Sequence, residues 1–186
     1  ISECLVGSEM CIRDRTKSYL ENPQSVSDNL LYGVFHENAS QKTSMSFMEP
    51  IYEMLEKDRG KVIYFDFWVK WCPPCLTEME PLKQLRSKYS TKDLVIYSIC
   101  GSEPKEEWEE CLDKYSLRNR GIECIYANDF FGKENYQKIC NQWNVHDMPY
   151  YILINRKGQI IDFGSSARPS NPNLRSRIEE AVKNIK

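Results

Sequence analysis

The stretch FDFWVKWCPPCLTEMEPL, Phe65 to Leu82, sets an apolar run directly before two cysteines and a helical pattern. Extended back to Val62, the run VIYFDFWV shows no alternation of apolar and polar residues. That continuity marks a central strand covered on both faces. Past the cysteines, Met79, Leu82, Leu85 and Tyr89 recur at helical spacing,. Cys72 and Cys75 therefore stand where a buried strand gives way to a helix N-terminus. Two cysteines at this spacing can hold a metal, close a structural disulfide, or cycle between dithiol and disulfide. Structural zinc ordinarily takes four ligands, and here there is no second CxxC, while His36 and His146 are isolated. A structural staple requires neither a helix N-terminus nor Trp71 beside it. Redox cycling uses both.

The chemistry of that position makes the two sulfurs unequal. Backbone N–H groups at a helix N-terminus point at an incoming anion. A thiolate at Cys72 is such an anion, so its pKa falls from about 8.5 toward neutrality or below. Each unit of that fall is ~1.4 kcal/mol of preference for the charged form. Lys70 adds to this where its ammonium approaches. Cys75, one turn inside the helix, is the more buried and the poorer first nucleophile. The expected roles are attack by Cys72 and resolution by Cys75. Pro74 suits the first helical turn, where a missing N–H costs nothing, and Pro73 with Pro74 stiffens the loop.

Outward from the motif, SFMEPIYEMLEKDRGK predicts a helix with Met48, Ile51, Tyr52 and Leu55 on one face and Gly60 as its stop,. DLVIYSICG reads as a second buried strand, and PKEEWEECLDKYSL as a helix with Trp108, Leu112 and Tyr115 inward. IECIYAN is a short strand. GKENYQKICNQWNV is a helix that clusters Tyr136, Ile139, Cys140 and Trp143. YYILINRKGQIIDFG makes two strands about a turn at Lys157–Gly158, and NLRSRIEEAVKNI a closing amphipathic helix,. Alternating elements with a terminal hairpin imply an α/β fold, a mixed sheet with helices on both faces.

The 186 residues suffice for one core of ordinary size, and 41% hydrophobic with 12% aromatic content marks a folded chain,. A net charge of −2 with mixed signs offers no basic patch for nucleic acid,. No apolar run approaches the about 18–20 residues that span a bilayer. The eight cysteines are many for a cytosolic enzyme and too few for a disulfide scaffold,.

FDFWVKWCPPC resembles the active-site strand and loop of the thioredoxin superfamily. Asp66, six residues before Cys72, matches the buried acid that takes the proton from the resolving cysteine. HDMPYYILINRKGQII, from His146, resembles the family's loop with a cis proline, here Pro149. A cis bond there would turn the Met148 backbone toward a substrate, to pair like an added strand. The finer resemblance is to the TlpA-like (AhpC/TSA–TlpA-like) branch, which includes cytochrome c maturation proteins. It rests on the CPPC dipeptide, on Glu78 three residues after Cys75, on the long helix-bearing stretch between Lys92 and Ile139, and on ARPSNPNLRSRI. One departure is Pro81, six residues after the second cysteine where the family usually has five, so the helix kink is expected to shift.

The resemblance covers Ser46 to Lys186 and implies a thioredoxin fold with a helical insert and an N-terminal extension. It implies a thiol–disulfide oxidoreductase that exchanges disulfides with protein substrates, as a reductant in the periplasm or cell envelope of a bacterium. Cys72, Cys75 and Asp66 would be catalytic, and Trp71, Pro73, Pro74, Met148 and Pro149 would contact substrate. The redox pair itself would replace any cofactor or metal. Partners would be protein thiols or disulfides and an upstream reductant, with the chain a monomer. A peroxiredoxin-like peroxidase is the alternative enzyme, but that family has a Thr where Val69 stands. A non-catalytic binding module would ordinarily have lost one cysteine of the pair.

LVGSEMCIRD, Leu5 to Asp14, has neither helical nor strand period and back-translates to a string resembling a transposase adapter used in short-read sequencing. Residues 1–15 are accordingly read as non-native, residues 16–45 as an N-terminal arm with the apolar cluster LLYGVF, and residues 46–186 as the thioredoxin-like domain. On that reading Cys4 and Cys11 carry no function, and a signal sequence or membrane tether would be lost with the native N-terminus. Cys100, Cys111 and Cys140 are expected to be buried small hydrophobes. Cys124 could pair with Cys111 or Cys140 in an oxidising compartment, and His146 reads as a surface-loop histidine.

Overall fold

The computed structural model describes residues 46–101 and 104–183. The readings made for residues 1–45, including the adapter, the arm, Cys4, Cys11 and His36, lie outside the described residues. The described chain opens with a 3₁₀ turn, Ser46–Met48, and helix α1, Glu49–Lys57. Strand β1, Val62–Trp68, leads through the cysteine loop into α2, Pro73–Thr77, and α3, Met79–Lys88. Strand β2, Leu94–Cys100, is followed by α4, Lys105–Lys114, and strand β3, Ile122–Tyr126. Then come α5, Ala127–Phe130, and α6, Lys133–Gln142. Strands β4, Tyr150–Ile154, and β5, Ile160–Phe163, form the hairpin, and α7, Pro172–Lys183, closes the chain.

The sheet order is β3-β2-β1-β4-β5. β1, β2 and β3 run parallel, and β4 and β5 run antiparallel to their neighbours. This is the mixed sheet of a thioredoxin fold. β1 is central, and all seven of its residues are buried, as are all seven of β2. The even side chains of β1, Val62, Tyr64 and Trp68, pack in one core with Met79, Leu82 and Leu85 of α3 and Leu174, Ile178 and Ala181 of α7. The odd side chains face the opposite layer. Phe65 stacks on Tyr97 at 5.4 Å, and Trp143, just past α6, lies over Phe65 and Phe67 at 5.2 and 6.0 Å. Each such ring buried from water is worth ~1.5–3 kcal/mol. The stretch between β2 and α6 adds α4 and the edge strand β3 to the sheet, the helix-bearing insert read between Lys92 and Ile139.

Several faces differ in detail from their periodicity. On α1 and the turn before it the buried set is Met48, Ile51, Met54 and Leu55, while Tyr52 is half-buried. On α4 the buried pair is Cys111 and Leu112, with Trp108 and Tyr115 half-buried. Tyr89 lies past the end of α3 and is half-buried as well, its hydroxyl donating to the Arg175 carbonyl at 3.3 Å. Met54 and Cys111 take inner places on these faces instead, a flexible and a small side chain that fill gaps a ring does not. The helix after the cysteines is not continuous. It breaks at Glu78, because Pro81 has no N–H to give the Thr77 carbonyl and its ring clashes with that carbonyl,. Pro81 thereby falls in the first turn of α3, where proline is tolerated.

Arg86 is buried at the far end of α3 and donates to the carbonyls of Tyr89 and Leu94. It ties the helix end to the start of β2 and satisfies carbonyls that the turn would leave orphaned. Burial lowers its pKa from the ordinary guanidinium value. Arg86→Met should therefore lower stability by ~2–4 kcal/mol, since buried carbonyls left without donors cost ~1–3 kcal/mol each. Urea unfolding followed by circular dichroism measures this, and an unchanged midpoint would remove Arg86 from the structural framework.

Candidate active site

Two segments meet at the end of the sheet where β1 runs out, the cysteine loop and the loop before β4. Cys72 is the N-cap of α2, with an extended backbone, and the Cys75 N–H donates to its Sγ at 3.2 Å. The amides of Cys75 and Leu76 also reach the Cys72 carbonyl, at 3.0 and 3.2 Å. Cys72 and Cys75 form a disulfide, with Cα atoms 5.3 Å apart. Both residues are buried, and the greater exposure belongs to Cys72, at 6% against 1%. Pro73 and Pro74 begin α2 and lie at its exposed surface. Trp71 is 74% exposed, the most open large hydrophobic residue among those described.

The Met148–Pro149 peptide is cis. β4 starts one residue later and pairs antiparallel with β1, Tyr150 opposite Phe67. That register carries Pro149 and Met148 to the same end of β1 from which the cysteine loop departs. Met148 packs against the core cluster that contains Cys72 and Cys75. His146 is exposed in the loop before it.

Asp66 sits in mid-strand at 4% exposure, not at a solvated strand edge. Its carboxyl is pushed up from an ordinary 3.8 to about 7, first by burial; a hydrogen bond from Ser98 opposes the rise, and the charge of Glu78 adds to it. The Ser98 hydroxyl donates to Asp66 Oδ2 at 2.9 Å. Glu78, at the break between α2 and α3, accepts from the Ser170 amide at 2.8 Å and from its hydroxyl at 2.7 Å. Glu78 and Ser98 thus belong to the electrostatics of the site. Glu78 was legible as a motif member only, and Ser98 gave no sequence signal beyond a polar residue in an apolar strand.

Lys70 is drawn to helix α4. Its ammonium lies 3.4 Å from Glu107 and 3.3 Å from Glu110, two carboxylates on one face of α4. Cys100, Cys111, Cys124 and Cys140 are not disulfide-bonded. Burial raises the thiol pKa of Cys111, Cys124 and Cys140, that of Cys124 to about 12. Such thiols are poor nucleophiles at neutral pH. Among the described residues no group of three or more His, Cys, Asp or Glu side chains is placed to hold a metal, and no helix is long and apolar enough to cross a membrane.

A disulfide at a helix N-terminus, a buried acid behind it and a backbone edge beside it can exchange thiols and disulfides. Known proteins resemble this chain in sequence and fold. The thiol-disulfide oxidoreductase ResA of Halalkalibacterium halodurans is 26% identical over 112 residues, 58% of this chain and 55% of that protein. The chain thus spans about half the length of the curated relatives it matches. Among solved structures, a candidate thiol-disulfide oxidoreductase from Bacteroides vulgatus is 31% identical with a TM-score of 0.51, over 68% of this chain and 76% of that one. The thioredoxin domain of another Bacteroides vulgatus thiol-disulfide oxidoreductase shares the fold at 19% identity with a TM-score of 0.57, over 69% and 84% of the two chains. The thioredoxin-like family model matches residues 60–160, strands β1 through β4 with both the cysteine loop and the cis proline, and the chain belongs to that family.

Proposed function

We propose that the chain is a thiol–disulfide oxidoreductase that reduces disulfides in protein substrates through Cys72 and Cys75. The observation that carries this reading is the Cys72–Cys75 disulfide at the N-terminus of α2, with the Cys75 amide on Cys72 Sγ and Asp66 buried behind. In the reduced protein the Cys72 thiolate attacks one sulfur of the substrate disulfide. That bond breaks, one substrate thiolate leaves and takes a proton, and a mixed disulfide joins Cys72 to the other sulfur. Cys75 then gives its proton to Asp66 and attacks Cys72 Sγ. The second substrate thiol departs, and two electrons have passed from protein to substrate as the Cys72–Cys75 bond forms. An upstream thiol reductant restores the pair.

Each remaining site residue has a role in that sequence. The backbone at Met148 and Pro149 pairs with an extended substrate segment, and Trp71, Pro73 and Pro74 supply an apolar rim for it. Asp66 is the base for Cys75, since a carboxyl that titrates at about 7 can both take and return a proton at neutral pH,. The redox pair serves in place of a cofactor. Likeness to the TlpA-like branch supports work as a monomeric reductant in the bacterial cell envelope. The ResA relatives support thiol–disulfide exchange as the reaction.

Cys72→Ser should abolish reduction of insulin, and Cys75→Ser should accumulate a mixed disulfide visible on non-reducing gels. Equal residual turnover in the two variants would refute the division of roles. Asp66→Asn yields a second pair of outcomes. The fold favours the neutral acid, so the stability linked to Asp66 is complete below the unfolded value near 3.8 and is lost as pH rises through about 7,. The loss is at most ~4 kcal/mol at ~1.4 kcal/mol per unit. The amide of the Asp66→Asn variant carries no charge to bury, so this protein should gain ~1–4 kcal/mol over wild type at pH 8 and nothing at pH 4. Decay of the mixed disulfide should slow in the same variant. A stability difference independent of pH would show that Asp66 is ionised without cost.

A further inference from the structure

Ser98 stands in β2 directly across from Asp66 in the parallel register and is 1% exposed. A serine hydroxyl has one proton to give and lone pairs to receive. The Trp68 indole N–H, which can only donate, lies 2.9 Å from Ser98 Oγ. Ser98 Oγ lies 2.9 Å from Asp66 Oδ2. With the indole filling an acceptor position, the hydroxyl proton is directed to the carboxylate, and the relay runs one way from Trp68 through Ser98 to Asp66. All three side chains lie on the same face of the sheet, and Trp68 is locked in the core beside the cysteine pair.

We propose that Ser98 is a positioning residue that holds Oδ2 of Asp66 as a fixed acceptor and leaves Oδ1 as the oxygen that gains and loses the proton. An oxygen that already receives a donor is a poor place for a second proton, so the free oxygen takes it. The titratable groups that interact electrostatically with Asp66 are Tyr64 on β1, Tyr151 on β4, Glu78 at the α2–α3 break, Cys124 on β3 and Tyr136 on α6, and the cysteine pair lies in the core cluster that also holds Tyr64 and Tyr151. The Tyr151 hydroxyl is buried and makes no hydrogen bond. Burial and Glu78 both favour the neutral acid, and Ser98 is the side chain among the described residues that donates to this carboxylate. It therefore sets how far the acid stays within reach of neutral pH.

The significance for turnover rests on Asp66 being the base proposed above, and the experiment separates the two ideas. Asp66 is titrated directly by carbon-13 NMR of its carboxyl in the full reduced chain, and decay of the mixed disulfide is followed across the same pH range. Ser98→Ala should raise the Asp66 midpoint by about 1–2 pH units above its starting value, the equivalent of one hydrogen bond to a charged group. Ser98→Thr, which restores the hydroxyl, should return the wild-type titration. An unmoved midpoint in Ser98→Ala, or an equal shift in both folded variants, overturns the proposal. A neutron map at about pH 5 should place the proton on Oδ1, and a proton on Oδ2 overturns it as well. If the midpoint moves and the decay profile does not, Ser98 holds Asp66 as stated and it is the assignment of Asp66 as base that falls.

Discussion

The structure is organised around a carboxyl group placed where a carboxyl group is costly. β1 is covered by α3 and α7 on one face and by the layer that carries Trp143 on the other, so every one of its seven positions is dry. Six of the seven are apolar or aromatic and gain from that burial. Asp66 alone loses, and the loss appears as a carboxyl that stays protonated up to about 7. The same covering that forms the core thus creates a carboxyl able to titrate near neutral pH.

The cysteine loop depends on the same strand. β1 ends at Trp68 and the chain must turn before α2, so Cys72 falls at the helix start with an amide aimed at its sulfur. β4 runs back along β1, and its register delivers the cis Met148–Pro149 peptide to that end. The site is thus assembled from two segments far apart in sequence whose meeting is a consequence of strand pairing. Helix α4 of the insert braces the loop through the ion pairs of Lys70 with Glu107 and Glu110.

Glu78 links the active-site helix to the rest of the domain. Held by the backbone and side chain of Ser170, it fixes the break between α2 and α3 to the segment that precedes α7. Its charge also bears on Asp66. Packing and proton affinity are therefore joined at one residue.

Much of this was legible in the residues. The unbroken run from Val62 to Val69 had to be a doubly covered strand, since its apolar and aromatic side chains leave no polar face and admit a single acid. The CxxC, the helical spacing after it and the hairpin about Gly158 followed from local pattern, because period and turn chemistry are properties of neighbouring residues. What periodicity missed were matters of tertiary competition. It placed Tyr52, Trp108 and Tyr115 inward, where the fold leaves all three half-buried, and it gave no sign that Lys70 would meet Glu107 and Glu110. It had no means of pairing Ser98 with Asp66, since strand register is set by the whole sheet. The order of residues alone named the atoms able to do redox chemistry. Which oxygen, which amide and which proline those atoms would meet was left to the folded sheet, because only packing fixes distances between residues remote along the chain.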